Sequence, residues 1–275
     1  MSRAQQQAPA ADSKLSQLLD SPVIGMSPWI AMSILVGPGR YEVAVGVSLA
    51  LAVALVVVGR IHHRGRSLKI LEVADVVFFA AMAVIGIFAS PGMLRWLENY
   101  SGEVSSIALT VIALGSMALR VPFTLQYARE QTPPEVWSEP GFLRTNYLIT
   151  GAWGAAFAVA AIAGAFGDLV LDNSNNVWTG WIIQIAAIIV ALQFTRWYPD
   201  VVRARSRRER GVPGPPEPPL SALLIPLAGY LTPVGIAVLA FDAGPLWLGV
   251  ALIVAGVLLV RSLSRTPSAE PGVRG

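Results

Sequence analysis

The chain has 275 residues, of which 54% are hydrophobic and only 13% charged, and its mean hydropathy is +0.59. A soluble domain carries about 25% charge, so too little polar surface is available here to cover an all-apolar globule, and the composition is that of a polytopic membrane protein. The formal net charge of +3 is scattered between apolar runs, which argues against a nucleic-acid partner, and the lack of Cys excludes disulfides, thiolate metal sites and cysteine nucleophiles.

Lys14 and Lys69 are the only lysines among 20 basic residues, an arginine bias that fits a high-GC bacterial coding sequence. Residues 1–20, MSRAQQQAPAADSKLSQLLD, hold no apolar stretch ending in a small-residue cleavage site. They read as a disordered cytoplasmic arm with a short helix around Leu15 to Leu19. A membrane domain is expected over 21–261 and a disordered tail over 262–275.

Eight apolar runs fill that domain, at about 22–39, 43–59, 73–94, 104–119, 145–167, 177–195, 220–241 and 243–260. A segment in hydrocarbon must satisfy its own backbone, so each is read as a transmembrane helix; the alternation of a membrane β-barrel is missing. Pro22, Pro28 and Gly37-Pro38 weaken the first run, which is either a complete, a broken or a re-entrant span.

The polar stretch LRVPFTLQYAREQTPPEVWSEPGFLRTNY (Leu119 to Tyr147) separates the fourth and fifth runs. Helix four is expected to continue past Arg120 through TLQYAREQ, kinked rather than ended by Pro122, until Pro133-Pro134 stops it. Trp137, Phe142 and Tyr147 suit an interfacial aromatic belt. In the fifth run GAWGAAFAVAAIAGAFG (Gly151 to Gly167) places small residues three and four apart, among them Gly151 and Ala155. Such a face serves intramolecular helix packing or a homo-dimer. The connector Arg196 to Pro219 starts Arg-rich and ends as the linker GVPGPPEPP. Arg203, Arg205, Arg207, Arg208 and Arg210 would contact anionic lipid headgroups, or simply hold the loop inside. LSALLIPLAGYLTP (Leu220 to Pro233) is similar to LSQLLDSPVIGMSP (Leu15 to Pro28). A duplication and chance both account for that.

Basic residues concentrate in cytoplasmic loops. With both termini inside, eight crossings leave only Arg40 and Arg95 of the 20 basic residues outside, and two outer loops carry acids alone, Asp168 with Asp172, then Asp242. The expected fold is all-α, about eight transmembrane helices, both ends cytoplasmic.

Under that topology Glu72, Asp75, Arg120, Gln126, Arg129 and Asn146 form a candidate polar cluster near the cytoplasmic boundary. Asp75 and Arg120 lie deepest and are expected to pair across helices three and four. The cluster is either ordinary boundary chemistry or a vestibule for a headgroup or small solute. Glu72 and Asp75 stand i, i+3 at a helix start, a place that favours acids for dipole reasons alone. His62 and His63 are adjacent and point to different faces, so no metal site is expected. No nucleophile–base constellation is visible. The chain is therefore read as no enzyme, with no cofactor, and the scarcity of ionisable groups at mid-span argues against an active pump.

Pro134 to Gly164, PEVWSEPGFLRTNYLITGAWGAAFAVAAIAG, and Val177 to Tyr198, VWTGWIIQIAAIIVALQFTRWY, resemble the intracellular septation protein A family of bacterial inner-membrane proteins. In the first stretch a Pro/Trp segment leads through Asn146 into an apolar helix, similar to the family's Trp–Asn approach to its penultimate helix, and the second has a Trp at its outer end and an aromatic-basic exit. The extra hairpin at each end departs from that family's pattern. The resemblance implies a role in envelope or septum biogenesis through protein contacts, with no catalytic residue to carry over. The expectation is a non-catalytic organising component of the bacterial cytoplasmic membrane, contacting lipid and protein partners through Arg120 to Asn146. The alternative is a facilitative carrier of a small solute or lipid.

Overall fold

The computed structural model describes residues 22–62, 68–173 and 176–265, and every regular element among them is helical. In chain order these are α1 (Pro22–Gly25), α2 (Ser27–Leu35), α3 (Tyr41–His62), α4 (Ile70–Phe88), α5 (Pro91–Ala118) and α6 (Phe123–Glu130). A 3-10 turn (Pro134–Val136) leads to α7 (Pro140–Leu169). A π-helical turn (Trp178–Ile182) opens α8 (Ile183–Glu209), and α9 (Leu220–Ala240) and α10 (Leu246–Ser264) follow. Seven of them (α3, α4, α5, α7, α8 with its π turn, α9 and α10) are long and apolar enough to cross a membrane. Val77, Ile87, Phe88 and Leu246 stand more than half exposed on these helices, a surface that hydrocarbon solvates and water does not. The protein is a multi-pass helical membrane protein. The expected N-terminal arm and the tail beyond residue 265, with Lys14 and His63, lie outside the described residues, whereas residues 262–264, expected in the disordered tail, continue α10.

The first run takes the broken form among its alternatives, and three further expectations change. The first run folds as two short helices broken at Met26, followed by extended Val36 and a Gly-Pro-Gly turn with Gly39 at φ +70°. Over the described residues 22–28 it differs from the matching part of Leu220–Pro233, because α9 continues through Pro226 and Pro233; residues 15–21 of that resemblance lie outside the described residues. α5 starts at Pro91 rather than near 104, with Ser90 as N-cap accepting from the Met93 amide. Its 28 residues reach about 42 Å. That helix does not run on past Arg120: Arg120 takes φ +61°, Pro122 becomes the cap of a separate helix, and α6 starts at Phe123. α8, conversely, passes Pro199 and carries the arginine run on its last turns.

The chain divides into two compact units, Met1–Gly154 and Ala155–Gly275, with the boundary inside α7. In the first, α2 lies against α3 and α4. Gly25 sits on Tyr127 and Leu71, the Trp29 indole donates to Asp75, and the Tyr41 hydroxyl donates to the Met82 carbonyl at 3.0 Å. Residues 25–41 thus climb beside α4 from its first turn to near its last. Trp29 stacks with Phe78 and Phe79, ring centroids 4.6 and 5.0 Å away, and closes this core. Gly154 packs on Ala113 and Leu114, while Ala155 is exposed. Gly151 faces Met117 on the same side, so the small-residue face used here takes in Gly151 and Gly154 and leaves Ala155 out.

In the second unit α9 and α10 form a hairpin in glycine-to-backbone contact. A Cβ on Gly235 would come 2.5 Å from the Gly249 carbonyl, and one on Gly256 would meet the Thr232 amide at 2.9 Å. The π turn leaves carbonyls outside the regular ladder, and side chains take them: Gln184 donates to Thr179 (3.0 Å) and Tyr230 to Ile182 (3.2 Å). Trp178 reaches the Ala243 carbonyl at 2.8 Å. Ile182, Val234 and Val238 form the small core beneath.

Because backbone cannot yield as a side chain can, Gly256→Leu should destabilise the purified protein by about 1–3 kcal/mol. Gly46→Ala, where a Cβ meets nothing within 4 Å, should be neutral or gain up to about 1 kcal/mol from helix propensity. Unfolding in detergent, followed by circular dichroism, compares the two.

Candidate functional site

The polar cluster assembles where α6 lies across the first turn of α4. The opening amides of a helix have no partner within it. Here Gln126, from 56 residues away, accepts the Ile70 amide at 2.6 Å, and the Glu72 carboxylate accepts the Lys69 amide at 3.3 Å. Lys69, counted in the sequence among loop charges, is 2% exposed. Its Nζ meets Glu130 at 2.9 Å and Glu72 at 3.9 Å, and lies 4.1 Å from the centroid of the Tyr127 ring. Desolvating an ammonium is costly, and a carboxylate with a ring face is the compensation available.

Asp75 lies one turn further into α4, 1% exposed. The expected pairing with Arg120 is not formed. Trp29 Nε1 donates to Asp75 Oδ1 at 2.6 Å, while Arg120 turns outward at the break and is exposed. The left-handed backbone there redirects the side chain away from α4, which is why depth in sequence misjudged it.

Arg129 and Asn146 serve the strap in other ways. The Arg129 guanidinium carbon stands 5.5 Å from the centroid of the Trp137 ring, whose indole donates to the Thr132 carbonyl at 3.0 Å. Asn146 is buried, donating to the Phe142 carbonyl at 2.9 Å and accepting from Thr124 on its own carbonyl at 3.1 Å. Thr124 also meets Thr150 at 2.7 Å. The two Thr124 bonds join α6 to α7, as Gln126 and Lys69 join it to α4. Of the six predicted residues, Glu72 and Gln126 therefore join one network at the head of α4. Asp75 belongs to the Trp29 core, Arg129 and Asn146 hold the far side of α6, and Arg120 stands apart.

Sequence reasoning missed Lys69, Trp29, Tyr127 and Glu130. A lysine at the start of an apolar run looks like any boundary charge, and its partner is distant in the chain.

The arginines of α8 are partly neutralised. Arg205 grips Glu217 at 2.6 Å, a bond that holds the Glu217 carboxyl below its usual range, and Arg203 meets Asp200 at 3.1 Å. Trp197 donates to the Pro218 and Pro219 carbonyls, so the proline linker folds back along the helix. All four of these side-chain partnerships are solvent-exposed or nearly so, and each contributes little to stability. Among the described residues no group of three or more His, Asp or Glu is placed to hold a metal ion. No protein-family model matches this chain, and neither curated proteins nor solved structures provide a match.

Removing one member of a buried ion pair strands the other. Lys69→Met should cost about 3–5 kcal/mol, and adding Glu130→Gln should return part of it. Arg120→Ala should change stability by less than about 0.5 kcal/mol. A double-mutant cycle on unfolding free energies in detergent reads both.

Proposed function

We propose that this protein is a non-catalytic organising component of a bacterial cytoplasmic membrane, and that α6 with the turn after it is its contact surface for envelope or septum proteins. The observation that carries this reading is the fastening of α6. A connection between two spans is usually a slack surface loop. This one is a folded helix whose inner side, Phe123, Thr124, Leu125 and Tyr127, is buried, bonded on one flank to α4 and on the other to α7. Its outer margin presents Arg120, Glu135, Glu139 and Arg144 to solvent. A fixed backbone with mixed charges suits specific protein contact, since little ordering entropy is then lost on binding.

The carrier alternative needs Asp75, Arg120, Gln126 and Asn146 to share one vestibule. Gln126 and Asn146 are spent on backbone bonds and Arg120 points elsewhere, which weighs against it.

The topology we propose has eight crossings with both termini cytoplasmic. The climb of residues 25–41 beside α4 supports it: α1 and α2 add only 13 helical residues, but with Val36 and the Gly-Pro-Gly turn they rise nearly the height of the neighbouring span. The partition of basic residues supports the same count.

Two experiments test these statements. The chain has no Cys, so Ser2→Cys and Ser268→Cys can each be probed with an impermeant maleimide in intact cells. Both should stay unlabelled until the membrane is opened, and labelling of either from outside would refute the topology. Reversing Arg120, Glu135 and Arg144 together should leave expression and unfolding temperature unchanged while abolishing copurification of division or cell-wall proteins. Unchanged copurification, or none from the parent protein, would remove the contact surface.

A further inference from the structure

On the three long helices α3, α4 and α5 of the first unit, four buried polar atoms have no hydrogen-bond partner among the described residues: Ser48 Oγ, Asp75 Oδ2, Ser101 Oγ and Ser105 Oγ. All four residues are more than nine-tenths buried, Ser48 and Asp75 almost completely. A helical hydroxyl in an apolar setting ordinarily bonds back to the carbonyl one turn earlier. Ser33, Thr110, Thr145, Thr195 and Ser264 do so in this chain, and Ser48, Ser101 and Ser105 do not. Leaving such a group unmade costs about 1–3 kcal/mol, so four in one unit call for a partner.

Their heights agree. Tyr41 of α3 is bonded to Met82 of the antiparallel α4. Seven residues inward from each, about 10 Å along the axes, stand Ser48 and Asp75. α5 runs parallel to α3, and Gly39, just before α3, is bonded to Glu98 at 2.7 Å. That register puts Ser105 within about 3 Å of the same level, and Ser101 about one turn further out. Each of the four also lies on the buried stripe of its helix: Tyr41, Val45, Ser48 and Ala52 on α3; Leu71, Asp75, Phe79 and Met82 on α4; Leu97, Ser101, Ser105 and Leu109 on α5.

We propose that Asp75 Oδ2 with the hydroxyls of Ser48 and Ser105, and with Ser101 one turn further out on the same buried stripe, forms a buried site for one monovalent cation, delivered either as Na+ or as a proton carried on water. The donors are all oxygen, which suits a hard cation. One carboxylate supplies one negative charge, so a single positive charge leaves the site neutral in hydrocarbon, whereas a divalent ion would require further acids. Trp29 occupies Oδ1 and so fixes the direction in which Oδ2 is offered. Glu72 and Lys69 on α4, Glu130 on α6, Glu42 and then Arg60 on α3, and Glu98 and Glu103 on α5 are the charged groups nearest in register, and α2 carries none. Lys69, Glu72 and Glu130 are already engaged with one another. The site extends beyond the organising role proposed above and does not depend on it.

Dicyclohexylcarbodiimide, which attacks protonated carboxyls in apolar surroundings, tests the site on the full-length protein in detergent, with the adduct located by peptide mass spectrometry. Asp75 should be modified in choline chloride, and Asp75→Asn should lose the adduct. Protection by NaCl at fixed pH identifies Na+, and protection by raised pH alone identifies the proton; either supports the site. Ser48→Ala and Ser105→Ala are small changes expected to keep a monodisperse, folded protein. Each should shift the half-protecting Na+ concentration, or the apparent proton affinity, by about 2–10-fold, the worth of one hydrogen bond. The proposal is overturned if Asp75 takes no adduct, if the adduct ignores both Na+ and pH, or if both serine variants leave the midpoint in place.

Discussion

Hydrocarbon offers no hydrogen bonds, so every interruption of a helix inside it must be repaired by the protein itself. At three of the interruptions here a side chain reaches a specific backbone group. At the break between α5 and α6, Ser116 accepts the Phe123 amide on its hydroxyl at 3.1 Å while its carbonyl accepts Val121 at 2.9 Å. At the head of α4 the repair is Gln126 on Ile70. Before the π turn Asn176 accepts the amides of Trp178 and Thr179, at 3.0 and 3.2 Å. The polar residues of this apolar chain are therefore mostly structural, placed where the backbone would otherwise be left bare.

That constraint also explains what could be read from the sequence. Apolar runs bounded by arginines are visible because a bilayer sorts residues by transfer energy alone, and the seven long helices follow from it. Boundaries were harder where charge and helix coincide. Arg95, Glu98 and Glu103 dilute the apolar signal of α5, so its start was placed 13 residues late, although Ser90 followed by Pro91 is a local N-terminus signature. Pro122 was read as a kink, since proline tolerates either outcome and the left-handed turn at Arg120 has no sequence mark on an arginine.

The candidate site was legible only as a band of depth. Glu72, Asp75, Gln126, Arg129 and Asn146 were found because polarity near a boundary is conspicuous. Their partners were not, since Trp29 to Asp75 spans 46 residues and Ile70 to Gln126 spans 56. Pairings of that separation depend on which helices are neighbours, and hydropathy does not encode adjacency. The error over Arg120 has the same origin: depth selects which charges need partners but not which partner is in reach.

The two most buried charged residues of the first unit, Lys69 and Asp75, are satisfied to different degrees, and residues 25–29, from the end of α1 into α2, lie between them. Lys69 has a carboxylate and a ring, so its network is closed and holds α6 in place. Asp75 has a donor on one oxygen only. Gly25 touches Tyr127 and Leu71, where a Cβ would lie 2.5 Å from the Tyr127 hydroxyl, and Trp29 follows one turn later on Asp75. The N-terminal hairpin is thus wedged between the strap and the acid. A change in the occupancy of Asp75 would act on Trp29, and a displacement of α6 would act on Gly25, four residues away in one short broken helix. The break at Met26 lies between these two contacts, so each is seated on its own short helix rather than on one continuous rod.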